Sequence, residues 1–282
     1  MAGLLFRHDL IRRPVPFMIL LRSLVFQALF YLSTLALMIL ALPVFVLPRK
    51  TGWPVVPFWA RMNLFLLRVI TGVKVEFRGL ENIPEGGCIV AAKHQSAWET
   101  FALLPHFVSP TYVLKRELQY IPIFGWYTMK YRQIPVDRGK RSAALAAMTE
   151  RAREAVAEGR QILIFPEGTR RGAGEEPRYK YGVAHLYRKI GCPVLPVALN
   201  SGLFWPRRGW CLYPGTVLVE FLPPIQPGLE TEPFYEEMVG AIEAASDRLI
   251  GEAIEAGPAS TVTDRVAERF AERGLPVPGS KD

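Results

Sequence analysis

The chain has 282 residues, half of them hydrophobic, and carries a formal net charge of +8. This length accommodates one large domain with an additional segment. Most of the excess charge lies in a hydrophobic N-terminal region, because residues 1–72 contain eight Arg or Lys side chains and a single acidic one, Asp9. A basic excess in an apolar segment is better explained by anionic lipid headgroups than by nucleic acid, so we expect no nucleic-acid partner.

The three cysteines, Cys88, Cys192 and Cys211, lie among apolar neighbours and show no paired spacing. The sequence therefore indicates neither a disulfide framework nor a zinc site, and no cluster of ligand-type residues suggests another metal. A reducing cytoplasm is the expected compartment.

The first predicted element is an uncharged stretch from Ser23 to Pro48, which is long enough to cross a bilayer as a helix. After a turn, a second apolar stretch runs from Val55 to Val73 and is interrupted by Arg61 and Arg68. Interrupting charges are typical of a helix lying at the membrane interface. We predict an N-terminal pair of membrane helices in residues 1–72; the pattern leaves open a single span or a re-entrant hairpin.

From residue 73 the pattern becomes that of an α/β domain, predicted to cover residues 73–232 and to be followed by C-terminal helices and a tail at 233–282. Apolar runs and period-two alternation predict strands, and period-3.6 stretches predict helices. Strands are predicted at residues 73–77, 89–92, 112–114, 133–136, 162–165, 194–199 and 216–221, the last as an edge or return strand. Helices are predicted at residues 98–107, 125–131, 142–158 and 183–190. This alternation favours a mixed, largely parallel sheet flanked by helices.

The predicted strand at 89–92 leads directly into a segment containing His94 and Glu99. The chain reverses there between strand and helix, so two residues five apart can face each other. A carboxylate that accepts one ring N–H of a histidine leaves the other ring nitrogen free to take a proton. We interpret His94 and Glu99 as a candidate general base and its orienting carboxylate.

Two further charged turns follow predicted strands. Phe165-Pro166-Glu167-Gly168-Thr169-Arg170 follows the strand at 162–165, and Asp137-Arg138-Gly139 follows the strand at 133–136. Open α/β sheets bind ligands at this edge, and two guanidinium groups can clamp one phosphate. Lys180 would add a third positive charge.

Four blocks of this sequence resemble, in order, those of the glycerolipid acyltransferases, and the chain looks most like the bacterial 1-acylglycerol-3-phosphate acyltransferase family. The blocks are His94–Glu99, Ile134–Arg138, Phe165–Arg170 and Val194–Ala198. The resemblance covers roughly residues 73–225 and implies the fold of that family. It also implies that His94 and Glu99 are catalytic and that Arg138, Glu167, Gly168, Thr169 and Arg170 bind the glycerol phosphate. The family usually has Asp where this chain has Glu99, which leaves the charge in place on a side chain one methylene longer.

The resemblance implies an enzyme of phospholipid biosynthesis that transfers an acyl chain to the free hydroxyl of lysophosphatidic acid, giving phosphatidic acid. Acyl-CoA or acyl-carrier protein would be the co-substrate, with no further cofactor and no metal. The expected location is the cytoplasmic membrane, with the catalytic domain on its cytoplasmic face. Two alternatives remain open: an acyltransferase for another lysolipid, such as a lyso-ornithine lipid or another lysophospholipid, and a non-catalytic membrane protein that binds lipid.

Overall fold

The computed structural model of the protein describes residues 16–137, 141–257 and 261–277, in which seven strands form one sheet flanked by helices. The strands are β1 (Val73–Arg78), β2 (Cys88–Ala92), β3 (Thr111–Lys115), β4 (Ile134–Val136), β5 (Gln161–Ile164), β6 (Val194–Leu199) and β7 (Gly215–Phe221). The helices are α1 (Phe17–Leu40), α2 (Arg49–Gly52), α3 (Val55–Thr71), α4 (Glu99–Ala102), α5 (Phe124–Lys130), α6 (Arg141–Ala157), α7 (Gly182–Ile190), α8 (Thr231–Ala256) and α9 (Thr261–Glu272).

The strand order is β1-β7-β6-β2-β5-β3-β4. All neighbouring pairs are parallel except β6 and β7, which are antiparallel. The mixed, largely parallel sheet is therefore confirmed. The three strands at the centre, β2, β5 and β6, are buried at every position, as expected for apolar runs covered on both faces.

The strand predicted at 216–221 is a return strand but not an edge strand, because β7 pairs on both sides, with β1 and with β6. The edge on this side of the sheet is formed by β1, whose alternating sequence leaves Lys74 exposed. A half-exposed strand is the type expected at an edge, where one side has no partner.

The two hydrophobic cores that contain β2 lie on opposite faces of the sheet, and successive residues of β2 contribute to each in turn. Ile89 and Ala91 point into the core beneath α6, α7 and the first part of α8. Val90 and Ala92 point into the core shared with α1, α3 and α9. This follows from the period of two along a strand.

The helix predicted at 98–107 is shorter than expected: α4 ends at Ala102, and a 3₁₀ turn follows at Leu104–His106. Pro105 has no backbone N–H to continue the α-helical hydrogen bonds, which explains the change.

Helix α1 has 24 residues, and a mean hydropathy of 2.0 over its most apolar stretch, so by length and composition it can cross a membrane. It is the one such helix among the described residues. The predicted span extended to Pro48, but α1 ends at Leu40 and a 3₁₀ turn occupies Leu42–Val46, where Pro43 interrupts the α-helical hydrogen bonds. The second membrane helix, at α3, stays a prediction.

Helices α1 and α3 pack on each other and on the sheet's core. The Trp59 indole donates to Thr34 Oγ1 at 3.0 Å, and the Phe30 and Trp59 rings lie 5.8 Å apart. Phe26 of α1 and Leu67 of α3 are almost fully buried in the core that also contains β2. The apolar N-terminal segment is therefore in direct contact with the domain that contains the predicted site.

Candidate active site

His94 lies two residues after β2, and its ring contacts Glu99 in the first turn of α4. His94 Nδ1 is 2.8 Å from Glu99 Oε1. A carboxylate can only accept a hydrogen bond, so the hydrogen lies on Nδ1 and Nε2 is the basic nitrogen. The structure thus brings together the two residues that the sequence predicts to be catalytic.

Glu99 is fully buried and held by four hydrogen bonds besides the one from His94. Its Oε1 accepts the backbone N–H groups of Gln95 and Ser96 at 2.7 and 2.8 Å. Its Oε2 accepts the hydroxyls of Ser96 and Ser201 at 3.0 and 2.8 Å. The longer side chain of Glu is therefore accommodated by a tight turn, and the carboxylate has almost no freedom to leave the histidine.

The turn after β5 supplies the wall on which the His94 ring rests. The rings of His94 and Phe165 stack with centroids 4.0 Å apart and planes 14° apart. The backbone N–H of Arg171 donates to the His94 carbonyl at 2.7 Å. The two predicted blocks therefore meet, because β2 and β5 are adjacent parallel strands whose carboxyl ends share one edge.

Glu167 belongs to a buried group of charged side chains next to the turn after β2 that contains His94, which we call the catalytic turn. Its Oε1 accepts the backbone N–H of His94 at 3.1 Å and lies 3.5 Å from Lys93 Nζ. Lys93 also pairs with Glu243 of α8, and the Tyr179 hydroxyl donates to Glu243 at 2.6 Å. Burial raises the pKa of Glu167, although Lys93 opposes that effect. The sequence predicts that Glu167 binds substrate, but its side chain has no solvent exposure and is not part of the cavity wall.

A cavity of about 630 Å³ opens beside His94 and extends between the sheet and the N-terminal helices. Near the histidine its wall includes Ser96 and Phe165; farther away it is formed by apolar side chains of α1, α3 and α5, such as Met38, Trp59 and Tyr127. An apolar cavity with a few polar groups at one end suits a ligand with a long hydrocarbon part.

The cationic end of the cavity is formed by the turn after β5. Gly168, Thr169 and Arg170 all line the cavity. Arg170 is exposed and forms no ion pair with any residue that the structure describes. Gly168 has a φ of +67°, and a Cβ there would lie 2.9 Å from Lys180 Nζ, so the Lys180 side chain passes directly beside it. Arg138, the second predicted arginine, lies outside the described residues.

The sequence analysis missed several polar residues that meet at the site. Ser201 follows β6, and Glu243 comes from α8, far away in the sequence; neither belongs to a recognisable motif. Tyr112 of β3 lines the cavity, and its buried hydroxyl has no hydrogen-bond partner among the residues that the structure describes. Burial, and to a lesser extent Glu99, raises the pKa of Tyr112. A neutral hydroxyl without a partner is available to a bound ligand.

The described residues contain no group of three His, Cys, Asp or Glu side chains arranged to hold a metal ion. The three cysteines are free, and Cys88 and Cys192 are buried.

Comparisons with known proteins place this fold and site in a class. A family model described as Acyltransferase matches residues 74–200, which include both His94 and the turn after β5. In the crystal structure of the 1-acyl-sn-glycerophosphate acyltransferase of Thermotoga maritima, the same fold is found, with a TM-score of 0.70 and 24% sequence identity over 81% of this chain and 96% of that chain. The fold is thus that of an acyltransferase, and the matched family model covers both turns of the candidate site.

Curated relatives narrow the class. The 1-acyl-sn-glycerol-3-phosphate acyltransferase of Pseudomonas aeruginosa is 43% identical over 179 residues, which are 63% of this chain and 70% of that protein. An enzyme of the same name from Saccharomyces cerevisiae is 28% identical over 73% of this chain and 68% of its own length. The chain belongs to the family of 1-acyl-sn-glycerol-3-phosphate acyltransferases, and it is an O-acyltransferase.

Proposed function

We propose that this protein transfers an acyl chain from acyl-CoA or acyl-carrier protein to the free hydroxyl of 1-acyl-sn-glycerol-3-phosphate, forming phosphatidic acid. The observation that carries the proposal is the His94–Glu99 pair at the polar end of a large apolar cavity, beside an arginine with no ion pair to a described residue. The names of the relatives support the same acceptor.

In the proposed reaction, His94 Nε2 removes the proton from the acceptor hydroxyl. The oxygen attacks the thioester carbonyl, the new ester C–O bond forms, the C–S bond breaks, and the proton passes from His94 to the departing thiolate. Glu99 keeps Nδ1 protonated and stabilises the imidazolium that forms. General-base catalysis of this kind contributes about 10²- to 10⁴-fold, and alignment of the two substrates adds to it.

The acceptor phosphate would bind at the turn after β5. The Arg170 guanidinium can form a bidentate pair with two phosphate oxygens, with Thr169 as a hydroxyl donor beside it. The absence of a Cβ at Gly168 lets Lys180 lie close to the backbone of this turn. The participation of Arg138 in the same clamp stays a prediction from the sequence.

Glu167 has a different role in this proposal from the one that the family resemblance implies. Because it accepts the His94 N–H while facing Lys93, it holds the backbone of the catalytic turn in place and does not contact the acceptor. The Lys93 ammonium that holds Glu167 is itself held in position by its buried ion pair with Glu243.

The long apolar helix α1 indicates that the protein is associated with a membrane. We place the catalytic domain on the cytoplasmic side of the cytoplasmic membrane, where both thioester donors are available. Free cysteines are consistent with a reducing compartment. No cofactor besides the acyl donor is needed for the steps above.

The proposal is tested by measuring thiol release and lipid products with the purified, detergent-solubilised protein. Each donor, acyl-CoA or acyl-carrier protein, is supplied with 1-acyl-sn-glycerol-3-phosphate, a lyso-ornithine lipid or a lysophosphatidylcholine. We expect release to require the phosphate-monoester acceptor and to yield phosphatidic acid. Release with another lysolipid alone would overturn the acceptor but keep the chemistry, and no release from correctly folded protein with any pair would favour the lipid-binding alternative.

A further inference from the structure

A second apolar surface lies on the catalytic domain, in the uncharged segment Leu118–Met129. Five of its large side chains are exposed: Tyr120 by 70%, Ile121 by 46%, Phe124 by 37%, Trp126 by 51% and Met129 by 56%. Burial of an apolar side chain of this size is favourable by about 1.5–3 kcal/mol, and a side chain that remains in water does not gain this free energy. A contiguous group of such side chains marks an interaction surface.

The backbone of this segment adopts a costly conformation at Ile123. The Phe124 N–H donates to the Pro122 carbonyl at 2.7 Å, which closes a γ-turn, and Ile123 has a φ of +65° and a ψ of −56°. This backbone conformation is rare for a β-branched residue. Directly after it, a Cβ on Gly125 would lie 1.9 Å from the Gln119 carbonyl oxygen, so the turn has no room to relax around a larger residue. Strain of this kind often accompanies a functional surface.

The apolar segment is continuous with the end of the membrane helix. The Tyr127 hydroxyl donates to the Met38 carbonyl at 2.7 Å, and the rings of Phe45 and Tyr127 lie 4.8 Å apart. Lys130 Nζ donates to the carbonyls of Phe45 and Leu47 at 3.1 and 2.6 Å. The segment 118–129 therefore contacts the chain at the C-terminal end of α1, where the apolar side chains of Ile39 and Leu40 are exposed.

We propose that the segment Leu118–Met129 enters the membrane beside the C-terminal end of α1 and is a second membrane-insertion site of this protein. The segment contacts the region of a phospholipid bilayer in which the headgroups meet the acyl chains. Continuity with a helix long enough to cross a membrane favours lipid over a protein partner. The composition agrees, because Trp126 and Tyr120 are residue types enriched at this boundary, and the exposed cation Lys115 precedes the segment.

Insertion of this segment has a consequence for substrate access. Leu118, Phe124, Tyr127 and Thr128 also line the cavity that contains His94. The segment thus forms part of the cavity wall while its exposed side chains are inserted in lipid, and Phe124 belongs to both sets. An acceptor can keep its acyl chain in apolar surroundings on its way from the bilayer to the catalytic turn.

The insertion is measured with an NBD fluorophore attached to the full-length protein on phosphatidylethanolamine–phosphatidylglycerol vesicles. The label is placed by Trp126→Cys or, as a control, by Arg151→Cys on the exposed side of α6, both in a Cys211→Ser background because Cys88 and Cys192 are buried. We expect doxyl-labelled lipids to quench the label at 126 strongly and dithionite to reduce it slowly, with the opposite behaviour at 151. Equal accessibility at both positions would overturn the proposal. This readout does not depend on acyl transfer.

A functional variant provides a second measurement. Trp126→Glu changes a side chain outside the cavity wall and leaves α1 intact, so the protein should remain bound to vesicles. We expect turnover of a long-chain acceptor in vesicles to fall by about tenfold, since a charge disfavours burial at this depth, while turnover of a short-chain soluble acceptor stays within about twofold. Equal losses with both acceptors would contradict the proposal. A shift from dimer to monomer in light scattering, with position 126 accessible to dithionite, would assign the surface to a second copy of the chain instead.

Discussion

Replacing Glu99 by Gln separates the charge of this residue from its role in holding the turn. Oε1 accepts three N–H groups, from Gln95, Ser96 and the His94 ring, so it must remain an oxygen. Among the residues that the structure describes, Oε2 forms hydrogen bonds only with the hydroxyls of Ser96 and Ser201, which can rotate and accept a hydrogen bond from an amide nitrogen. The Gln side chain can therefore keep every contact, and His94 keeps its hydrogen on Nδ1.

The Glu99→Gln variant lacks the negative charge that faces the His94 imidazolium after the proton of the acceptor hydroxyl has passed to His94. A hydrogen bond to a charged group contributes about 1.5–3 kcal/mol, and each 1.36 kcal/mol corresponds to a factor of about ten in rate. We therefore expect kcat of Glu99→Gln to fall by roughly 10- to 150-fold, with little change in KM for either substrate. Ser201→Ala removes only one neutral hydroxyl from the carboxylate and should reduce kcat by less than about tenfold.

The assay is thiol release at saturating donor and acceptor, with Glu176→Gln as the matched control. Glu176 is exposed and forms no ion pair with a described residue, so the same chemical change there should leave kcat unchanged. Circular dichroism and the unfolding midpoint establish that the Glu99→Gln protein is folded. A folded Glu99→Gln variant with the kcat of the parent would refute the reasoning and reduce Glu99 to a support for the turn.

Three further predictions concern binding, stability and pH. Arg170→Ala should raise the KM for 1-acyl-sn-glycerol-3-phosphate by roughly tenfold or more and leave a neutral acceptor unaffected; Arg151→Ala, on the exposed side of α6, is the control, and equal effects on both acceptors would make Arg170 structural. Lys93→Met leaves Glu167 buried without its cation and should lower the free energy of unfolding by about 3–5 kcal/mol in a denaturant titration; adding Glu167→Gln should recover part of this loss, whereas simple addition of two losses would argue against coupling. Burial lowers the pKa of His106 from 6.5 to about 4, so the ring stabilises the fold above about pH 6.5 and this stabilisation is lost as the pH falls towards 4. Over that range the free energy of unfolding of the parent, measured by denaturant titration, should fall by roughly 1–3 kcal/mol more than that of a His106→Gln variant. Screening by water around the partly solvated ring favours the lower end of this range. Plots of unfolding free energy against pH that run parallel for the two proteins would contradict this.

The local parts of the site could be predicted because their signals are local. His94 and Glu99 lie five residues apart across one turn, and the turn at Phe165–Arg170 follows its strand directly. Parallel strands end at one edge of the sheet, so two such turns are expected to meet once the strands are identified. The same reasoning explains why both turns line the cavity.

The remaining parts depend on contacts that no periodicity encodes. Ser201 reaches Glu99, and Glu243 reaches Lys93, only because β6 pairs with β2 and α8 packs on β6 in three dimensions. Alternation in a strand indicates burial but not the identity of its neighbours, which is why the pattern at 216–221 left open an edge strand or a return strand. The role of Glu167 illustrates the same limit, since the direction of its side chain depends on the position of Lys93.

The most direct test of the proposed chemistry compares His94→Ala with His185→Ala in the thiol-release assay with 1-acyl-sn-glycerol-3-phosphate. His185 lies on α7 and is not part of the cavity wall, so its substitution controls for the loss of an imidazole. If His94 is the general base, His94→Ala should lose about 10²- to 10⁴-fold in kcat while binding vesicles normally, and His185→Ala should keep the parent rate. A folded His94→Ala protein that retains more than about a tenth of the parent kcat would contradict the mechanism.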